Sequence, residues 1–156
     1  MKSTHLSEEQ IIKKLESFCA YRERCESEIK QKLFQLAVVR NEADFYINYL
    51  KENNFLNEER FVAAFARGKF NIKSWGKRKI IQELQAKQID SKKIQQSIEQ
   101  IDDSLYFIRL QDLLEKKIKK IKETDTFIIK QKLMQYAMQK GYEMELINEV
   151  LKEFKL

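Results

Sequence analysis

Three stretches of the chain share one pattern of apolar and polar positions without gaps. They are SEIKQKLFQLAVVRNEADFYINYL from Ser27, RKIIQELQAKQIDSKKIQQSIEQI from Arg78 and FIIKQKLMQYAMQKGYEMELINEV from Phe127. Ile29, Ile80 and Ile129 are followed after four residues by Leu33, Leu84 and Leu133. Fourteen residues further on come Ile47, Ile98 and Ile147, then Leu50, Ile101 and Val150. An i, i+4 pair and a later i, i+3 pair across a polar link predict two amphipathic helices in each unit. A further helical stretch precedes each pair. The first covers about 8–22, opened by Ser7 with Gln10 three residues on, a capping-box pattern. The second covers about 58–69 after Asn57 as N-cap, and the third about 105–122.

The pattern predicts an all-α protein of three tandem three-helix repeats, approximately 8–56, 57–103 and 104–156, within a single domain spanning 1–156. The absence of proline and the presence of only three glycines agree with helix nearly throughout. A unit of this size cannot bury its apolar face alone, so neighbouring units must stack. An elongated, curved solenoid, right-handed or arc-like, is expected, with a compact nine-helix bundle as the alternative. Gly68 and Gly76 are expected to bracket a helix–helix connection, and Gly141 to serve as a C′ residue.

Little in the chain suits catalysis. The single histidine, His5, lies near the start of the chain, and the carboxylates are interspersed with lysines as on solvated helix faces. Cys19 and Cys25, six apart on an expected helix, point in different directions and find no further cysteine or histidine for a metal site. Reduced thiols are therefore expected, with no metal and no cofactor. Three dispersed glycines cannot build a phosphate-cradling loop. No enzyme is predicted. The N-terminal stretch MKSTHLSEEQ has no apolar segment of the export type, and the longest apolar run, Phe61–Ala66, is far short of the ~20 residues that span a bilayer. A cytoplasmic monomer is expected.

Net charge is +6, but its distribution changes the picture more than its sum. Between Arg60 and Gln82 there are seven basic residues and no acidic one. Such a run either meets an anionic partner or is a solvated face screened by salt. Arg60 and Arg67 share one side of their helix with Ala63 and Ala64 between them, which would let another surface approach two guanidinium groups. In the next helix Ile80, Ile81 and Leu84 face the core, Arg78, Gln82 and Gln85 line a polar side, and Lys79 can pair with Glu83. Lys77 is expected to lay its stem along the core edge with its ammonium snorkelling out. Trp75 can stack on a base or staple its loop to the core. The partner-binding candidates are Arg60, Arg67, Lys69, Lys73, Trp75, Lys77 and Arg78. The second basic cluster, Lys116–Lys122, reads as ordinary amphipathic surface around Ile118 and Ile121.

The junction FLNEERFVAAFARGKFNIKSWGKRKIIQELQAKQID resembles the most characteristic segment of the RecX family, bacterial regulatory proteins that act on the RecA recombinase. SEIKQKL in the first repeat and QKGYEMELINEVL in the third resemble the flanking units, so the likeness runs from about 15 to 154. Where the family often has glycine near the end of the second repeat's middle helix, this chain has Gln88, which leaves that helix ending open. The resemblance implies a non-enzymatic protein that lies in the groove of the RecA–DNA filament and restrains filament growth, ATP hydrolysis and strand exchange, in DNA repair, recombination and the SOS response. An autonomous DNA-binding helical module is the alternative. Either RecA carboxylates or the phosphates of single- or double-stranded DNA could receive the arginines.

Overall fold

A computed structural model describes residues 5–156; the first four residues of the N-terminal stretch read for an export signal lie outside them. The helices are α1 (Glu8–Tyr21), α2 (Glu26–Gln35), α3 (Ala43–Glu52), α4 (Glu58–Asn71), α5 (Lys77–Ala86), α6 (Ser91–Glu99), α7 (Asp103–Ile118), α8 (Thr126–Gln139) and α9 (Met144–Lys152). A short 3-10 turn, Arg40–Glu42, leads into α3, and the described residues contain no strand.

Local chemistry sets the helix starts. The Ser7 hydroxyl accepts from Gln10 N–H at 3.2 Å while Gln10 Oε1 accepts from Ser7 N–H at 2.9 Å, the reciprocal box expected from the sequence. Asn57, Asp102 and Asp125 cap α4, α7 and α8 through their side-chain oxygens. α7 stops at Ile118, a turn earlier than expected, and Ile121 packs against the core from the following coil. Cys19 lies on α1 but Cys25 precedes α2, so the two thiols belong to different elements rather than one helix; both are free and buried.

Most of the repeat's core positions hold, Ile101 and Ile129 being only half-buried. Ile29, Leu33, Ile80, Leu84, Leu133, Ile147 and Val150 are all buried. The turns between them do not keep the same register. α2 and α5 have 10 residues each, whereas α8 has 14, so the third unit turns one helical turn later. All three turns use one device: a residue at positive φ, Ala37, Gln88 or Gly141, followed by a buried apolar residue. The amides of Val38, Ile89 and Tyr142 donate back to Leu33, Leu84 and Ala137 at 3.0, 3.2 and 3.1 Å. This Schellman arrangement satisfies carbonyls at each helix end. Gln88 therefore ends α5 normally, in a left-handed conformation (φ 63°) that glycine would occupy at lower cost.

Packing divides the molecule unevenly. Leu15, Ile29, Leu33 and Leu50 centre one core within α1–α3. A second core runs continuously through α4–α9, and Cys25, from the link between α1 and α2, enters it. The accessible surface is 10445 Å², about a quarter above the ~8,300 Å² of a compact monomer of 18.8 kDa. That excess belongs to the elongated stack and not to a compact bundle.

The second and third helix groups meet through a row of rings. Phe70 and Tyr106 lie 5.9 Å apart and Tyr106 and Tyr142 5.0 Å apart, centroid to centroid. Beside them two glycines interlock: Gly76 N–H donates to the Lys140 carbonyl at 2.7 Å and Arg78 N–H to the Gly141 carbonyl at 3.0 Å. The Tyr142 hydroxyl donates to the Ser74 carbonyl at 2.9 Å. Gly76 is thus a contact glycine. Gly68 does not bracket the connection as expected; it lies within α4, with open space where a Cβ would stand.

The joint between the first and second groups is polar instead. Glu23 pairs with Arg60 and Glu28 with Lys87 across it, and the Glu26 N–H donates to Glu58, while Lys51 and Arg22 hold Glu26 and Glu28 from within the first group. The first group presents a row of carboxylates to the cations of the second.

Candidate functional site

Where the first helix group meets α4 and α5, a groove of about 590 Å³ opens. Its floor is the α4 stripe Phe61, Ala64, Phe65 and Gly68, whose spacing of three and four places them on one side of the helix. The small residues Ala64 and Gly68 keep that floor low. Lys69, Ile72, Lys73 and Trp75 form one wall, and Arg22 with Glu23 the other.

Trp75 organises the wall. Its ring meets Phe65 edge-on, with centroids 6.3 Å apart and planes at 72°. The ammonium of Lys69 stands 4.9 Å from the indole centroid and that of Lys79 4.5 Å. Two cations thus already engage the ring's π system, each contact worth about 0.5–1 kcal/mol at an exposed site. Trp75 staples its loop and aims two ammonium groups. It is not a bare platform for a base. Lys79, expected to pair with Glu83, turns to the indole instead, while Glu83 and Lys87 complete the lining of the groove.

The basic residues singled out by sequence do not share one surface. Lys69, Lys73 and Trp75 line the groove, and Arg78 lies exposed on α5. Arg67 opens instead onto a smaller hollow with Phe70, Ser97 and Leu105. Arg60 does not extend a face below Arg67. Its Nε donates to both Glu23 oxygens at 3.1 and 3.2 Å, and its Nη2 to the Asn54 carbonyl at 2.8 Å, so it ties the helix groups together. Lys77 places its ammonium 4.5 Å from the Tyr106 centroid and 3.6 Å from Asp103 rather than snorkelling free. Among the described residues no carboxylate pairs with Lys69, Lys73, Arg78 or Arg67.

Sequence reasoning missed Ile72. It is 80% exposed at the rim, between Lys69 and Lys73, an apolar side chain ringed by charge. Its neighbour Asn71 ends α4, two residues beyond the expected end, so Ile72 falls at the helix C-cap and not in the following loop. Buried tyrosines also went unnoticed. The Tyr106 hydroxyl accepts from Lys77 N–H at 2.8 Å and donates to Glu143 at 2.9 Å, and burial pushes its ionisation far above the ordinary phenol range. That network ties the start of α5 to α7 and to the residue before α9. Among the described residues there is no group of metal-ligating side chains. No helix is long and apolar enough to cross a membrane.

Two family models match the chain. The one described as RecX, second three-helix domain, matches residues 57–98, and the one described as RecX, third three-helix domain, matches 106–151; together they cover more than half of the sequence. Regulatory protein RecX of Clostridium beijerinckii is 31% identical over 132 residues, covering 83% of this chain and 61% of that protein. The protein of that name from Oceanobacillus iheyensis is 30% identical over 137 residues, covering 87% and 50%. That from Clostridioides difficile is 26% identical over 149 residues, covering 94% and 70%. The chain thus spans between half and two thirds of the length of the first two relatives. A crystal structure of regulatory protein RecX superposes with a TM-score of 0.82 at 21% identity, covering 98% of this chain and 83% of the other. RecX from Lactobacillus salivarius gives 0.80 at 20% identity, covering 93% and 94%. These structures share the all-α architecture of three-helix units. With two successive units matched and the same stack of helices around them, the chain belongs to the RecX family.

Proposed function

We propose that the chain is a non-catalytic regulator of RecA that binds the RecA–DNA filament in its groove, mainly restraining filament growth, ATP hydrolysis and strand exchange. Its three helix groups, 8–56, 57–103 and 104–156, act as one binding body. Family membership supports the regulatory role. The observation that carries the binding mode is the groove wall, where Lys69 and Lys73, with no carboxylate partner among the described residues, flank exposed Ile72. An apolar tip flanked by cations suits a protein surface bearing carboxylates, since charge steers the encounter and the buried side chain holds it. An elongated stack provides the length to touch adjacent protomers.

The test is co-sedimentation with RecA filaments on single-stranded DNA, beside bare DNA at matched salt, followed by RecA-dependent ATP hydrolysis. The triple variant Arg67→Glu, Lys73→Glu and Arg78→Glu replaces exposed residues only, each substitution costing less than about 0.5 kcal/mol of stability. It should melt like the parent and lose most of its inhibition. A folded triple variant that inhibits as well as the parent would make the basic stretch a solvated face.

A further inference from the structure

A second cationic surface lies on the first helix group, lined by none of the residues that line the groove. Lys13, Lys14, Ser17 and Tyr21 line one edge of α1, and Lys32 of α2 faces them across an open hollow of about 500 Å³. Beneath lies Arg24, only 7% exposed. Its guanidinium carbon sits 3.6 Å from the Phe18 centroid, and the Lys32 ammonium 5.4 Å from the same ring. Two cations thus crowd one aromatic ring, and the same guanidinium lies 5.9 Å from the Tyr21 centroid.

Arg24 is incompletely satisfied. Its Nε donates to the Phe18 carbonyl at 2.8 Å, and no other hydrogen bond or ion pair engages it among the described residues. No side-chain nitrogen in the described structure is both sealed from solvent and unpaired, so the free Nη groups open onto the hollow. Burying a guanidinium without a carboxylate costs free energy that one carbonyl and two rings only partly offset. No acidic side chain lines the hollow. The nearby carboxylates are committed elsewhere: Glu23 and Glu28 to Arg60, Arg22 and Lys87, and Glu16 to the Tyr49 hydroxyl.

The chemistry of the rim selects the anion. Tyr21 is 84% exposed, a large aromatic face beside four positive charges, and no aliphatic side chain lines the hollow to anchor a peptide. Guanidinium binds phosphate through paired N–H groups, and exposed aromatic rings stack bases of any sequence. A shallow, open hollow accepts a chain running across it better than a small anion. We propose that this face of α1 and α2 is a contact site for single-stranded nucleic acid, with Arg24, Lys14 and Lys32 on the phosphates and Tyr21 stacked on a base. The site shares no lining residue with the groove on α4 and stands whether or not that groove binds a RecA filament.

The test uses the full chain and a fluorescent oligothymidylate with no recombinase present, so its failure leaves the groove reading untouched. The double variant Lys14→Gln, Lys32→Gln should flatten the slope of log affinity on log salt by about 1.4, at ~0.7 for each phosphate that is no longer neutralised. Tyr21→Ser should weaken binding about tenfold at fixed salt. A control with equal charge loss, Lys152→Gln and Lys155→Gln at the far end of the stack, should leave slope and affinity unchanged. Ultraviolet cross-linking to oligonucleotide carrying 5-iododeoxyuridine should map to Tyr21 by mass spectrometry. The proposal is overturned if the parent does not bind the oligonucleotide, or if the first-group variants bind like the parent while cross-links map elsewhere. It is equally overturned if polyglutamate of matched charge displaces the oligonucleotide as effectively as unlabelled oligothymidylate does, since the site would then be one for acidic protein.

Discussion

Replacing Gly76 with alanine tests how the second and third helix groups are joined. Gly76 has φ −77°, which alanine adopts freely, so any cost is steric. A Cβ there would lie 2.3 Å from the Gly141 carbonyl carbon and 2.4 Å from both the Gly141 oxygen and the Tyr142 nitrogen. All three are backbone atoms, and ordinary contact is ~3.5–4.0 Å, so the two loops must part by about 1 Å or more. Parting them breaks the bonds from Gly76 N–H to Lys140 and from Arg78 N–H to Gly141, now 2.7 and 3.0 Å. Two such bonds contribute about 0.5–1.5 kcal/mol each, and forced repacking around Tyr106 and Tyr142 adds about 1–3 kcal/mol. The loss of glycine's freedom in the unfolded chain offsets about 0.4–1 kcal/mol. The net expectation is about 2–4 kcal/mol of destabilisation, or a melting midpoint lowered by about 5–15 °C for a chain of this size. Circular-dichroism melts and urea titrations read it directly. Gly68→Ala is the matched control: it sits in α4 with open space at the Cβ position, and should stabilise by about 0.5–1 kcal/mol. A Gly76→Ala protein melting within about 2 °C of the parent would refute the interlock, because a shift that small corresponds to less than about 1 kcal/mol.

Three further outcomes follow from the same structure. Gln88→Gly should raise the urea midpoint by the equivalent of about 1 kcal/mol, since a left-handed residue at φ 63° ceases to carry a Cβ. Burial raises the Glu28 carboxyl, but bonds from Arg22 and the Cys25 N–H with the charge of Lys87 outweigh it and hold its pKa below the ordinary range. Its contribution is therefore full above the unfolded value of about 4.3 and lost as pH falls through the lower folded value, so Glu28→Gln should flatten the acid limb of stability against pH in urea titrations. Burial pushes the Cys19 thiol up to about 11. Ellman's reagent at about pH 8 should modify it at least about a hundredfold more slowly in the folded protein than in urea, where its pKa returns to about 8.5.

The helices and most of the core were legible in the chain. Ile29, Leu33, Ile80, Leu84 and Leu133 recur at helical spacing because each helix must bury one stripe, and burial of that stripe is a local consequence of period. Ser7 and Asn57 marked helix starts for the same local reason. The family likeness was legible too, in the run from Phe55 to Asp90. What each basic side chain does was not. Arg60 and Arg67 have the same spacing relation to their helix, yet one binds Glu23, from 37 residues earlier, and the other has no carboxylate partner among the described residues. Lys79 passes over the adjacent Glu83 for Trp75. Arg24, a charged residue in a polar link, is buried against Phe18. Periodicity determines which face of a helix is apolar. Which charge meets which depends on how rigid helices dock, and docking here is set by contacts such as Gly76 on Gly141 that join positions 65 residues apart. Only the tertiary structure brings those positions together, and with them it decides which cations remain free for a partner.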